Sequence, residues 1–465
     1  MKNQGDNRFH FIAIGGAAMH NLALALHNNG YFISGSDDEI MEPSLSRLKS
    51  SGLLPEKEGW YPEKITKDLD GVILGMHARA ENPELLRAIE IGIPVYSFPE
   101  FLFEHSKNKQ RVVIGGSHGK TSITSMILHV LKHENFDFDY MVGAKVEGFD
   151  TMVRLSNAPL IILEGDEYLS SPVDRRPKFH LYQATIGLIS GIAWDHINVF
   201  PTYDEYFNPF KIFADAIPAN GQFIYCDTDE EVHRLSEITV TKAKKIPYGI
   251  PQYEIRNGES FLITSSGKIS LSIFGEHNMM NIEGARLVCN AIGVDDKRFY
   301  KSIGSFKGAS RRLELIAKNN SVAVYRDFAH SPSKLKATVN AVRQQYPNRK
   351  LVACMELHTF SSLNEKFLDQ YAGSMDEADI AIVYFNPHTV SHKKLQPVTE
   401  EMILKSFANP NIRVFTDSVS MQKELSKISI DGSVFLLMSS GTFDGMNMQE
   451  FGMNITGGKP VAEQH

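Results

Sequence analysis

The sequence predicts an α/β fold built as three domains. Three observations carry this: the chain's length, a repeated alternation of apolar strands with helix-periodic segments, and two points at which that alternation restarts. At 465 residues the chain exceeds the roughly 250–300 residues beyond which one hydrophobic core stops growing. Strands alternating with helices predict parallel sheets. The restarts place the expected domains at residues 1–108, 109–307 and 308–465.

In the first block, residues 9–14 (FHFIAI) read as a buried strand, followed by a Gly15-Gly16 turn and an apolar-periodic helix over about 18–28. Residues 31–34 form a second strand ending at Gly35-Ser36-Asp37, with further strands at 71–75 and 95–96. The polar stretch 105–110 reads as a linker. The second block has a strand at 111–114, a loop at 115–119 and a helix at 120–133, then apolar strands at 160–163 and 185–189. A turn-rich region with hairpins is expected near 222–275, then a helix from about Asn278, and the block closes near Lys307-Gly308. From Ser321 the third unit reads strand VAVYRDFA, helix 333–344, strand LVACME, a helix, strand IAIVYF and strand VFLLMSS.

Composition narrows the function classes. Hydrophobic residues at 42% and charged residues at 22% give an ordinary globular balance. A net charge of −7 argues against a broad nucleic-acid-binding face, while a local basic pocket for a small anion needs only a few Arg and Lys residues. Cys226, Cys289 and Cys354 form no CxxC pair, which argues against a disulfide framework or structural zinc and suits a reducing cytoplasm. The N-terminus lacks a signal-peptide pattern, and no run of 18 apolar residues exists, so a soluble cytoplasmic protein with no membrane partner is expected.

The strongest motif is Gly115-Gly116-Ser117-His118-Gly119-Lys120-Thr121-Ser122, between a strand and a helix. Small residues let backbone N–H groups close around phosphate oxygens, and the helix N-terminus adds a favourable dipole. Lys120 would reach the terminal phosphates, and the Thr121 hydroxyl would bind Mg²⁺. The loop departs from the usual P-loop, since the position five before Gly119 is Ile114. Outside its strand–loop–helix context it would be a glycine turn with an incidental lysine.

This form of the loop resembles the ATP-binding loop of Mur ligases and of folylpolyglutamate synthases, and the resemblance extends over nearly the whole chain. It implies a magnesium-binding role for Glu164, after the apolar strand LIIL, and a second-metal role for His196 in Asp195-His196. Residues 274–281 (FGEHNMMN) resemble the family's adenine-binding stretch, with His277, Asn278 and Asn281. Arg311-Arg312 and Asp327-Phe328-Ala329-His330 resemble the third domain's contribution to the nucleotide. Singly, each has a plainer reading: a turn or hydrogen-bonded pair for Asp195-His196, a helix N-terminus for Asn278 and Asn281, a surface residue for Arg312. Oxygen ligands at Thr121 and Glu164 suit Mg²⁺, whereas His196 is a softer donor. Asn278 and Asn281 share a helix face, and Arg312 could neutralise a transferring phosphoryl group. The six motifs in order carry the identification.

The stretch HFIAIGGAAMHNLALALHNNGYFISGSD resembles the family's UDP-binding domain, so the implied fold is a Rossmann-like UDP-binding domain, a central P-loop ATPase-type domain and a C-terminal Rossmann-like domain. Gly15 and Gly16 would approach the diphosphate, with Asp37 near the uridine or ribose. Alone, the stretch would suggest a dinucleotide fold without a full GxGxxG. Ala13 and Ala18 replace glycines of the family loop, and alanine does not adopt positive φ cheaply.

The resemblance thus implies ATP, Mg²⁺ and UDP-N-acetylmuramate, with Lys120, Glu164, His196 and Arg312 carrying the chemistry, in a monomer or homodimer. Two subgroups compete for the amine, murein tripeptide or L-alanine. Asp166-Glu167-Tyr168, Asp174-Arg175-Arg176-Pro177-Lys178-Phe179 and the glycine-rich stretch 440–445 resemble the peptide-recycling subgroup. Arg175, Arg176 and Lys178 could meet peptide carboxylates. His358, in Leu357-His358-Thr359-Phe360-Ser361, resembles the alanine-adding subgroup. The peptide is the favoured expectation. Lys211 stands one residue from the family's carbamylated lysine position, where this chain has Phe210, so no carbamylation is expected. A folylpolyglutamate- or cyanophycin-type ligase is disfavoured by the first domain, and a non-catalytic ATP-binding regulator by Lys120, Glu164 and His196.

Overall fold

The computed structural model describes residues 7–256, 258–409, 411–428 and 431–457. The chain forms two compact units: residues 1–192, 207–248 and 284–299 make the first, and residues 193–206, 249–283 and 300–465 the second.

The first unit holds two sheets. The smaller is wholly parallel, in the order Phe32–Ser36, Arg8–Ile12, Gly71–Leu74, Val95–Ser97. The larger runs Lys244–Tyr248, Gln222–Cys226, Ile186–Ile189, Gln110–Gly115, Leu160–Glu164, Asp139–Met141, Val153–Arg154. Only its last pair is antiparallel. Leu160, Ile161, Ile162 and Leu163 are all buried, as a strand covered on both faces requires. Helix Phe98–Ser106, closed by a Ser97/Glu100 capping box, extends into the expected linker. What remains of the linker is pinned, because Lys109 pairs with buried Asp139 and donates to Ser156 O at 2.6 Å.

A buried pair links the first domain's sheet to helix Pro83–Ile91. His10 Nε2 lies 3.2 Å from Glu84 Oε2, and Glu84 Oε1 accepts the Tyr61 N–H at 2.7 Å. Burial opposes the Glu84 charge, yet the His10 contact and the other hydrogen bonds hold its carboxyl below the usual range. A depressed carboxyl contributes stability above its unfolded pKa and loses it as pH falls through the folded one. Glu84→Gln should therefore cost about 1–3 kcal/mol in urea unfolding at pH 7, and less in acid. An equal cost at both pH values would contradict an ionised Glu84.

The second unit holds a three-stranded antiparallel meander, Tyr253–Arg256, Glu259–Thr264 and Gly267–Leu271. Its six-stranded sheet runs Glu314–Lys318, Ala323–Asp327, Ser433–Met438, Lys350–Leu357, Ile380–Phe385, Ile412–Phe415, parallel except for the first pair. Strand Lys350–Leu357 alternates between two cores: Leu351, Ala353, Met355 and Leu357 join one cluster, Val352 and Cys354 the other. Helices therefore cover both faces.

Two expectations differ from the structure. Within the expected 222–275 stretch, the hairpins among the described residues lie at 253–271, because Gln222–Cys226 and Lys244–Tyr248 are parallel strands bridged by the amphipathic helix Glu230–Ile238. The third sheet also starts before Ser321, at edge strand Glu314–Lys318, whose charged ends suit an open edge. Among the described residues no helix is long and apolar enough to cross a membrane.

Candidate active site

The P-loop strand is Gln110–Gly115 and its helix Lys120–His133. Gly116 stands at φ +134°, and a Cβ there would come 2.2 Å from Ser190 Oγ. Ser190 Oγ in turn donates to the carbonyl oxygens of Gly115 and His118, and the Ser117 N–H donates to Gly191 O at 2.9 Å. Gly119, at φ +78°, starts the helix. The loop is shaped by its neighbouring strand, and only glycine fits its tightest point. His118 lies 3.9 Å from Asp229, and Ser122 is buried in the helix.

Lys120 Nζ donates to Gly116 O and to Glu167 Oε2, both at 2.6 Å. Burial alone would lower the ammonium pKa, but Glu167, Asp166 and Glu164 outweigh it and raise it above the usual range. Thr121 Oγ1 donates to Glu164 Oε1 at 2.8 Å, and the Gly143 N–H donates to Glu164 Oε2 at 2.7 Å. Strand, loop and helix thus bring Lys120, Thr121, Glu164, Asp166 and Glu167 together beside the P-loop.

Of the expected basic cluster, Arg176 and Lys178 meet carboxylates of this chain. Lys178 Nζ lies 2.8 Å from Asp166 and 6.0 Å from the Tyr168 ring centroid. Arg176 bonds Asp174 at 2.6 Å and Glu100 at 3.4 Å, while Arg175 is exposed. The charge run is legible in sequence, but the carboxylates that answer it come from the turn itself and from helix Phe98–Ser106.

In the first domain, the Gly15 N–H donates to Asp37 Oδ2 at 2.7 Å, and burial raises the Asp37 pKa despite that bond. Gly16 precedes helix Ala17–Asn28, and its carbonyl meets His20 Nδ1 at 2.9 Å. Ala18 is exposed, whereas Ala13 adopts φ +65°. Its N–H and that of Ile14 both donate to Ser36 O, at 2.9 and 3.1 Å, which holds the strained residue in place.

The second unit carries the remaining candidates. His196 has φ +55°, and its N–H donates to Asp195 Oδ1 at 2.7 Å. Burial opposes the Asp195 charge, yet His196 and Lys334 help hold its carboxyl below the usual range. Burial, reinforced by Lys334, lowers His330 to about 3. Burial likewise lowers His277 to about 4. Asn278 Nδ2 donates to Phe274 O at 2.9 Å and Asn281 Nδ2 to Asn278 Oδ1 at 3.4 Å, so both amides engage their own helix start. Asp327 accepts the N–H groups of Leu313 and Ala329, each at 2.7 Å, and burial raises its pKa. It clamps backbone beside Arg312, whose guanidinium lies 4.7 Å from the Phe328 ring centroid. His358 Nδ1 lies 3.5 Å from Glu356, a buried carboxylate that also accepts the Phe443 N–H at 2.7 Å. Lys334 and Glu356 escaped sequence reasoning; a lone glutamate inside the apolar run LVACMEL was the available signal for the latter.

Three family models match from residue 8 to residue 441: "Mur ligase family, catalytic domain" at 8–110, "Mur ligase middle domain" at 114–289 and "Mur ligase, glutamate ligase domain" at 311–441. A UDP-N-acetylmuramate–L-alanine ligase of Sulfurihydrogenibium sp. is 30% identical over 445 residues, covering 94% of this chain and 95% of its own. The chain belongs to the Mur ligase family. This Mur ligase is therefore an ATP-dependent amide-bond-forming ligase of three α/β domains. Its fold is similar to that of UDP-N-acetylmuramate–alanine ligase from Thermotoga maritima, with TM-score 0.69, 19% identity and coverage of 96% of this chain and 98% of that one. It is also similar to murein peptide ligase from Psychrobacter arcticus, with TM-score 0.65, 22% identity and coverage of 98% and 100%.

Proposed function

We propose that this Mur ligase joins the lactyl carboxylate of UDP-N-acetylmuramate to the amine of L-alanine. The observation that carries the ligation chemistry is the meeting of Lys120, Thr121 and Glu164 at one loop. The amine rests on the name borne by the relative at 30% identity, and this replaces the tripeptide expected from sequence. Residues 1–108 would bind the UDP-sugar, 109–307 ATP, and 308–465 the amine while closing on the nucleotide. A cytoplasmic location follows from such substrates.

Thr121 Oγ1 and the Glu164 carboxylate, 2.8 Å apart, fit Mg²⁺ as hard oxygen donors, and the family resemblance gives His196 to a second metal. When bound, the ion would neutralise charge on the transferring phosphoryl group. The carboxylate is phosphorylated, the amine attacks the acyl phosphate, and phosphate leaves. Lys120 holds positive charge where phosphoryl oxygens gather, and Gly116 to Ser122 present backbone N–H groups to the same anion. Gly15, Gly16 and Asp37 would seat the UDP group. His277, Asn278, Asn281, Asp327 and His330 would form or support the adenosine side, with Arg312 as a further positive charge.

A second reading, tripeptide as the amine, is favoured by Asp166-Glu167-Tyr168 and the turn bearing Arg175, Arg176 and Lys178, whereas His358 favours L-alanine. One phosphate-release assay offering L-alanine and tripeptide in parallel separates the two. Efficient alanine-dependent release with no tripeptide response is the expected result, and the converse overturns it. Under the second reading alone, Arg176→Ala should raise KM for tripeptide by roughly tenfold or more, with a smaller change in kcat, since a lost charge-assisted bond costs roughly 1.5–3 kcal/mol.

A further inference from the structure

Helix Pro332–Gln345 opens in a way that helix stability does not require. Its N-cap Ser331 makes no side-chain cap bond, and its first turn carries Lys334 and no acidic residue. A cation there opposes the helix dipole. Lys334 instead faces a carboxylate from a distant part of the chain. Its Nζ lies 3.9 Å from Asp195 Oδ2, His330 Nε2 lies 3.9 Å from the same oxygen, and Ser361 Oγ donates to Asp195 Oδ1 at 3.4 Å.

The next residues are bound to the same core. Ile197 packs against the apolar cluster that includes Leu335, Val339 and Leu357. Between these anchors His196 sits at φ +55°, a conformation that a non-glycine residue keeps only when its surroundings hold it there. Residues 193–206 fall inside the stretch matched by the middle-domain model, yet they belong to the compact unit that contains the six-stranded C-terminal sheet.

We propose that Lys334, with His330 and Ser361, clasps Asp195 and thereby positions His196 from the C-terminal domain. Lys334 is a positioning residue, acting through Asp195. The consequence for turnover rests on the reading of His196 as a metal-side donor; the clasp itself does not.

The chain has two tryptophans, and Trp194 adjoins the clasp, its Nε1 donating to Phe200 O at 3.0 Å. In a Trp60→Phe background, emission and acrylamide quenching therefore report on this segment alone. Lys334→Met should raise the quenching constant about twofold and lower kcat about tenfold, the scale of one lost charged contact. KM for UDP-N-acetylmuramate should change less than twofold. Lys334→Arg should restore both signals, and the milder Ser361→Ala should move quenching in the same direction. Wild-type quenching in Lys334→Met and Ser361→Ala overturns the clasp. Raised quenching with wild-type turnover leaves the clasp standing and overturns the role of His196 on which its consequence rests.

Discussion

Lys120→Ala is expected to lower kcat for ligation by about 10²–10³, the usual cost of removing one preorganised charge stabiliser. The lysine is already oriented, with Nζ 2.6 Å from both Gly116 O and Glu167 Oε2. Charge at this point acts on the phosphoryl group as its negative charge redistributes, so the loss falls on turnover. UDP-sugar binding should persist, because the Gly15-Gly16 turn follows a strand of a different sheet. The substitution also strands Glu167, a buried carboxylate, and breaking such a pair costs about 3–5 kcal/mol of stability. Lys120→Met with Glu167→Gln removes that complication: the melting temperature should recover while turnover stays low. Turnover near wild type in the stable double variant would remove Lys120 from the mechanism.

How far the site is legible in sequence depends on the range of the interactions that build it. The P-loop reads well because strand, small residues and helix are contiguous, and Gly116 is demanded by a neighbour that any Cβ would strike. The order of apolar strands likewise reports both-face burial directly, as at LIIL. The opposite holds for Lys334 and Arg176. Asp195, the partner of Lys334, and Glu100, the weaker partner of Arg176 beside nearby Asp174, lie far away in sequence, so composition shows the cations and not all that neutralises them. Ala13 is a third kind of case. Propensity argues against its φ of +65°, by roughly 1–2 kcal/mol, but two hydrogen bonds to Ser36 O from the adjoining strand decide the geometry. The hairpins expected near 222–275 fall only at 253–271 of that range, for a related reason. Turn residues are scattered from 218 to 267, while the helical pattern of DEEVHRLSEI between them marks a crossover.

Glu164 should prove the more demanding of the two proposed metal-side residues. Its two oxygens are held separately, Oε1 by the Thr121 hydroxyl at 2.8 Å and Oε2 by the Gly143 N–H at 2.7 Å. A carboxylate fixed in this way offers a hard anionic oxygen in one orientation, which a cation that favours strict octahedral geometry rewards. Glu164→Ala removes the charge and frees Thr121 to turn away, so two oxygen donors are lost together. The Mg²⁺ concentration for half-maximal activity should rise by about 10–100-fold. Glu164→Gln keeps an oxygen acceptor for one of the two donors but not the charge, and should fall between wild type and Glu164→Ala. His196→Ala should shift the requirement less, since a neutral imidazole contributes less to binding a hard cation. The discriminating measurement is a magnesium titration of initial rate for all three variants at saturating ATP. Overlapping curves for wild type, Glu164→Ala and His196→Ala would exclude both residues from the metal site. A larger shift for His196→Ala than for Glu164→Ala would instead reverse their order, and would mean that charge at Glu164 serves chiefly to orient Thr121 and the Gly143 backbone.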